Sequence, residues 1–182
     1  MQAAPEWMFQ GKRKLAHNNR PPVWLVMGGR GAGKTRLGAE WVNCLVHGMA
    51  PFAKMNKTAP IALVGETIAD VRDVMIEGPA GIMASSRAGR PRFIASKRQL
   101  VWKDGQTAML FSSEDPESLR GPQFAAAWCD EIGKWKNSVE TWDMLQFGLR
   151  LGDLPRIVAT TTPRPTALMK RLLADPDVAQ TI

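Results

Sequence analysis

The sequence predicts an α/β fold, a mainly parallel sheet flanked by helices, and three observations predict it. Short continuous apolar runs of strand length recur along the chain, as in strands covered on both faces. Segments with apolar residues every three or four positions stand between them. The first apolar run also passes directly through a glycine-rich turn into the first helical segment.

The elements follow in order. Residues 1 to 22 form an N-terminal extension of mixed aromatic and basic character, closed by Arg20-Pro21-Pro22. Val23 to Met27 is the first buried strand, and it leads into GGRGAGKT, Gly28 to Thr35. Leu37, Trp41, Cys44 and Leu45 then recur at helical spacing until Gly48. After a turn-rich stretch, Ile61 to Val64 is a second buried strand ending at Gly65, and Ile68 to Ile76 is expected as a helix capped by Thr67. Arg92 to Ala95, Gln99 to Lys103 and Thr107 to Phe111 have strand patterns, with Asp104-Gly105 as a hairpin turn between the last two. The region near 92–111 is therefore expected to be a small antiparallel β insertion. Ala125 to Cys129 is a third buried strand, stopped by Asp130 and Glu131. Val139 to Leu149 is helical, Arg156 to Thr160 is a fourth strand running into Thr161, Thr162 and Pro163, and Thr166 to Leu173 is a last helix.

At 182 residues and 45% hydrophobic content, the chain suits one compact domain with a single core, residues 1–182. Lys and Arg outnumber Asp and Glu 24 to 17, so a polyanion is a candidate partner, whether the excess forms a patch or a diffuse field. Cys44 and Cys129 lie apart in apolar segments and read as reduced, buried small hydrophobes of a cytoplasmic protein. The basic residues Lys12, Arg13 and Lys14 adjoin no apolar run of signal-peptide or membrane-span length, so no membrane role is expected.

GGRGAGKT fits G-x-x-x-x-G-K-[ST] in full, and it stands between a strand and a helix, the context that gives the pattern its meaning. Glycines let Gly28, Gly29, Arg30, Gly31, Ala32 and Gly33 curl so that their N–H groups face phosphates, and the helix adds its positive end. Lys34 is the candidate for the β- and γ-phosphate oxygens, and the Thr35 hydroxyl for Mg²⁺. Nucleotide binding alone follows from this. Hydrolysis needs an acidic element as well, and Asp130-Glu131 after a buried strand has that form. Asp130 would hold the metal and Glu131 would polarise the attacking water. A glutamate there, with no N-K-x-D anywhere in the chain, favours the RecA-like (ASCE) ATPase branch of P-loop NTPases over small GTPases and simple kinases.

Together these segments resemble the large terminase subunits of tailed phages, related prophages and gene transfer agents. The resemblance runs from about Trp24 to Pro163 and rests on GGRGAGKTRLGAEWV, DVRDVMIEGPAGI, SEDPESLRGPQFAAAWCDEIGKW and ATTTPRP. It implies an ATP-driven motor that assembles as a homo-oligomeric ring on a portal protein in the host cytoplasm. It also implies a small terminase subunit as partner and double-stranded DNA as cargo threaded into a viral shell; in isolation the chain could be monomeric. Thr160, Thr161 and Thr162 match the family's coupling motif, with helix capping by Thr162 and Thr166 as the plainer alternative. Arg30 occupies a phosphate-loop position that often carries arginine and could stabilise transition-state charge in cis. Arg120, in Leu119-Arg120-Gly121, matches a candidate finger supplied to a neighbour's ATP. Trp7 and Gln10 stand where related motors place adenine contacts, although plain packing is the favoured reading of Trp7. The family's C-terminal nuclease has an acidic metal cluster, and none appears up to Ile182, so no nuclease activity is expected of this chain. A helicase-like ATPase and a non-hydrolysing, nucleotide-regulated assembly module are the rival functions.

Overall fold

Among the described residues, eight strands form one continuous sheet in the order β3-β4-β5-β2-β6-β7-β1-β8. The computed structural model describes residues 22–182 except Lys54. β1 (Val23–Met27), β2 (Ile61–Gly65), β5 (Thr107–Ser112), β6 (Ala126–Cys129), β7 (Arg156–Thr161) and β8 (Val178–Thr181) run parallel. β3 (Arg92–Ile94) and β4 (Gln99–Val101) join antiparallel beyond β5. The expected antiparallel strands are thus part of the main sheet, because β5 pairs with β4 on one side and with β2 on the other.

The continuous apolar runs mark strands that feed two cores at once. Along β1, Trp24 and Val26 enter one core while Val23, Leu25 and Met27 enter the other, as the period of two requires. Helix α1 (Lys34–His47) contributes Trp41, Val42 and Leu45 to the first core, where α3 (Ile82–Ser85) adds Ile82. Helices α4 (Ser138–Gly148) and α5 (Ala167–Ala174) cover the opposite face with Trp142, Leu145, Leu168 and Leu172. Cys44 and Cys129 are buried and free. No helix among the described residues is long and apolar enough to cross a membrane.

Two segments depart from the expected pattern. Thr67 does cap α2 (Ile68–Asp70), in a reciprocal capping box with Asp70, but the helix continues as a π-helix over Val71–Ile76. The wider turn brings Val71, Met75 and Ile76 together onto the buried side. β8 has no apolar run to announce it; it is held by pairing with β1 and by the Trp24 indole, which donates to the Thr181 hydroxyl (3.0 Å).

Helix α1 approaches the sheet closely enough to exclude a side chain at Gly38, where a Cβ would lie 2.1 Å from the Trp128 ring. Alanine normally exceeds glycine by about 1 kcal/mol within a helix. Here overpacking reverses the sign, and Gly38→Ala is expected to lower stability by about 1–3 kcal/mol in urea unfolding. In a Trp128→Ala background the same change should become stabilising.

Candidate active site

The parallel strands open their C-terminal ends to one side, and the order β6-β7-β1 brings the ends of these three strands together. β1 delivers the glycine-rich loop, β6 delivers Asp130 and Glu131, and β7 lies between them.

In the loop, Gly31 and Gly33 have φ of 77° and 80°, a left-handed conformation costly to residues with a Cβ. Gly33 begins α1 without a side-chain cap, and the first turn of α1 carries no acidic residue. Its N-terminal N–H groups are therefore left to an anion. The Lys34 ammonium is held by the carbonyls of Gly28 and Gly29, both at 2.9 Å, and is 8% exposed. Thr35 starts the helix half-buried, and its hydroxyl has no hydrogen-bond partner among the described residues. Gly29, Arg30, Gly31 and Ala32 form the exposed crest of the loop.

Strand alternation gives the three threonines three different partners. The buried Thr160 hydroxyl donates to Asp130 Oδ1 (2.5 Å) and accepts from the Trp128 indole (3.3 Å). Thr161 points the other way, accepting from the Gly133 N–H (3.0 Å). Thr162 returns to the first side: its N–H and hydroxyl donate to Glu131 Oε2 and Oε1 at 3.1 and 3.2 Å. Lys34 Nζ lies 3.4 Å from the Thr162 hydroxyl and 3.5 Å from Glu131 Oε1. Thr166, not Thr162, caps the last helix, accepting from Met169 N.

The turn carrying the acids is itself unusual. Glu131 has φ 49° and ψ 46°, a left-handed conformation at a non-glycine residue. Such strain costs about 1–2 kcal/mol and persists where surrounding contacts enforce it. A 3₁₀ turn, Ile132–Lys134, follows directly, with Ile132 buried. The Trp135 indole donates to the Asp130 carbonyl (3.0 Å), and a Cβ at Gly133 would meet Thr161 Oγ1 at 2.8 Å. Trp128, Gly133 and Trp135 therefore shape the site without having stood out in the sequence, where tryptophan in apolar surroundings reads as core. A cavity of about 60 Å³ beside the acids is walled by Glu66, Asp70 and the π-helical residues Val74 and Met75.

The family model for the terminase large subunit, T4likevirus-type, N-terminal region, matches residues 25–176. The chain belongs to this family. No curated protein matches it. Among solved structures, the large terminase of the thermophilic bacteriophage D6E in complex with ADP is similar at 17% identity and a TM-score of 0.68, over 93% of this chain and 42% of that one. A second crystal form of that phage protein gives 15% identity and 0.67, over 96% and 43%. The Thermus phage P74-26 large terminase ATPase domain gives 14% and 0.64, over 88% and 74%. At these identities the likeness is one of fold, a mainly parallel sheet flanked by helices. The chain spans about two fifths of the first of these terminases.

Arg30 stands exposed on the terminase loop with no ion pair among the described residues. Arg120 is not brought to the loop; it is 64% exposed and pairs with Glu117 at 3.1 Å. It lines a separate surface cavity with Met144, Phe147 and Arg150. Trp7 and Gln10 lie outside the described residues.

Burial pushes the Asp130 carboxyl up to about 6, with the Glu131 charge adding to the rise, while the Thr160 hydroxyl and Lys34 oppose it. The folded chain then holds a proton on Asp130 that the unfolded chain releases, from the ordinary 3.8 up to about 6. This contribution to stability is complete below that window and is lost as pH rises through it. In metal-free buffer, wild type should lose roughly 2–3 kcal/mol relative to Asp130→Asn between about pH 4 and 6, then run level. Thr160→Val should move the upper end of that window to higher pH. Urea unfolding across pH measures both, and a flat difference would refute the assignment.

Proposed function

We propose that this chain is the ATP-hydrolysing part of a viral DNA-packaging motor. The observation that carries the reading is the placement of Glu131 between Lys34 and Thr162, which joins the phosphate loop, the acidic pair and β7 in one crevice. Intact Lys34, Thr35, Asp130 and Glu131 support hydrolysis over a non-hydrolysing assembly module, and terminase membership favours packaging over a helicase-like role. Similar phage terminases bound to ADP and to ATP-gamma-S support a nucleotide as the ligand.

In this reading the loop N–H groups and Lys34 bind the phosphates and orient the γ-phosphoryl group. Lys34 reaches the phosphates from its present position, exchanging Glu131 for oxygens of greater charge. Thr35 and Asp130 would hold Mg²⁺, which neutralises phosphate charge when bound. The donor set fits that ion: a hydroxyl and a carboxylate are hard oxygen ligands, and Mg²⁺ commonly takes one or two protein ligands beside substrate phosphates. Glu131, oriented by the two Thr162 bonds, accepts the proton of the attacking water. Thr162 thereby connects γ-phosphate occupancy to β7. Arg30 stabilises developing charge in cis. Arg120, exposed on a different surface, serves a neighbouring subunit's ATP in a ring. The ring would sit at the portal with the small terminase subunit and pass double-stranded DNA into the procapsid.

Glu131→Gln is expected to lower ATP turnover at least ~10²-fold while leaving nucleotide binding intact, and Lys34→Ala to abolish binding. Steady-state phosphate release with a fluorescent-nucleotide titration reads both, and undiminished turnover in Glu131→Gln would defeat the proposal. Mixing Arg120→Ala with Glu131→Ala subunits should restore part of the activity that each lacks. No recovery, with normal ATP binding by both, removes the trans role of Arg120.

A further inference from the structure

Between Glu77 and Asp104 the chain carries cations without acids, and here they fall on one hairpin. Arg87, Arg90, Arg92, Lys97, Arg98 and Lys103 fall within 17 residues that contain no Asp or Glu. They supply six of the chain's net seven charges, leaving 18 cations against 17 acids elsewhere. All six are exposed. Arg87 pairs with Glu40 of α1 at 3.3 Å, while the other five have no ion pair among the described residues.

The fold arranges them along an edge of the sheet. Among the described residues β3 is the terminal strand of the sheet, paired only to β4 in the register Arg92↔Val101, Phe93↔Leu100 and Ile94↔Gln99. Extending that register sets Arg90 opposite Lys103 at one end. Lys97 and Arg98 form the connection at the other end, where Ala95–Lys97 is a 3₁₀ turn and Arg98 is left-handed. Phe93 and Leu100 anchor the hairpin in the first core, so the cations stand on a fixed support. The stripe is roughly 20 Å long at about 3.3 Å per residue. Protecting an edge from pairing with other strands takes one or two charged residues, and this edge carries many more. Protein interfaces are depleted of charge at their centres and need apolar anchors, which the exposed positions of this stripe lack. A regular polyanion fits better: duplex DNA carries one charge per about 1.7 Å of axis, and edge N–H groups add donors for phosphate oxygens.

We propose that the β3–β4 hairpin is a contact surface for the phosphate backbone of double-stranded DNA, reading charge and not sequence. The choice of duplex DNA rests on the packaging-motor reading above. Binding of the 182-residue chain to a 30-base-pair duplex, followed by fluorescence anisotropy across salt concentrations without nucleotide, tests it. Replacing Arg90, Arg92, Lys97 and Lys103 by Gln should weaken binding at least ~10-fold near 0.1 M salt and flatten the log–log salt slope by about 3–4, at roughly 0.9 per phosphate contact. A control with Arg72, Lys136, Arg150 and Lys170 replaced by Gln should lose less than about threefold. ATP turnover without DNA should be unchanged in the hairpin variant. Failure of wild type to bind duplex, wild-type affinity and slope in the hairpin variant, or an equal loss in the control overturns the proposal. So does loss of polyglutamate binding with DNA binding untouched, which would make the edge a dock for an acidic protein. If the hairpin variant loses DNA while wild type shows no ATP turnover, the DNA surface stands and the motor reading falls.

Discussion

β7 separates the strand that feeds the phosphate loop from the strand that ends in the acidic pair, and its last residues bond to both sides. Gly28 N donates to the Thr161 carbonyl (3.2 Å), extending the β1–β7 ladder into the loop. Thr160 fixes Asp130 and Thr162 fixes Glu131. Without a strand in this position the lysine and the carboxylates would stand on adjacent strands with nothing between them to sense a change in either. A run of three threonines suits the place because each hydroxyl both donates and accepts, and strand alternation sends consecutive ones to opposite sides.

This arrangement places two carboxylates near each other with one of them buried, which is electrostatically unfavourable. Asp130 is 7% exposed, and the Thr160 hydroxyl and Lys34 compensate only part of its desolvation, as its raised proton affinity records. Glu131 adds backbone strain. Neither feature improves folding. Both keep charge and geometry poised where a cation and a phosphate would relieve them, and residual strain of this kind is characteristic of sites that bind. Trp128 makes the burial tolerable: its ring fills the space left by Gly38, and its N–H orients the hydroxyl that serves Asp130.

Much of this was legible from residues alone. β1, β2, β6 and β7 announce themselves as continuous apolar runs, because a strand covered on both faces cannot alternate. The phosphate loop and the acidic pair are read directly, since their chemistry demands particular side chains at particular spacings. Strand order is not written locally: nothing in Arg156–Thr161 says that it lies between β6 and β1. The π-helical turn at Val71–Ile76 depends on how Met75 and Ile76 meet the core, and β8 depends on pairing with β1. Gly133 and Gly38 look like ordinary glycines until the atoms opposite them are known.

The stiffness of the acidic turn bears on how hydrolysis would be transmitted. Gly133 leaves no room between the 3₁₀ turn and β7, with the Thr162 carbonyl 3.0 Å from where a Cβ would stand. A displacement of Thr162 by a phosphate therefore moves Glu131 through its hydrogen bonds and Gly133 through direct packing. β7 continues through Pro163 and Pro165 into α5, whose start is capped by Thr166. α5 is tied to α4 by Arg171 and Asp143 at 2.8 Å. α4 in turn carries Phe147, 75% exposed, into the cavity that Arg120 lines. Under the proposed reading, one continuous set of packed and hydrogen-bonded elements runs from the γ-phosphate position to the surface that offers Arg120 to a neighbour. Tight packing favours discrete shifts of such elements over gradual deformation, so in that reading the threonine end of β7 is where a chemical change in one subunit would become a mechanical one felt by the next.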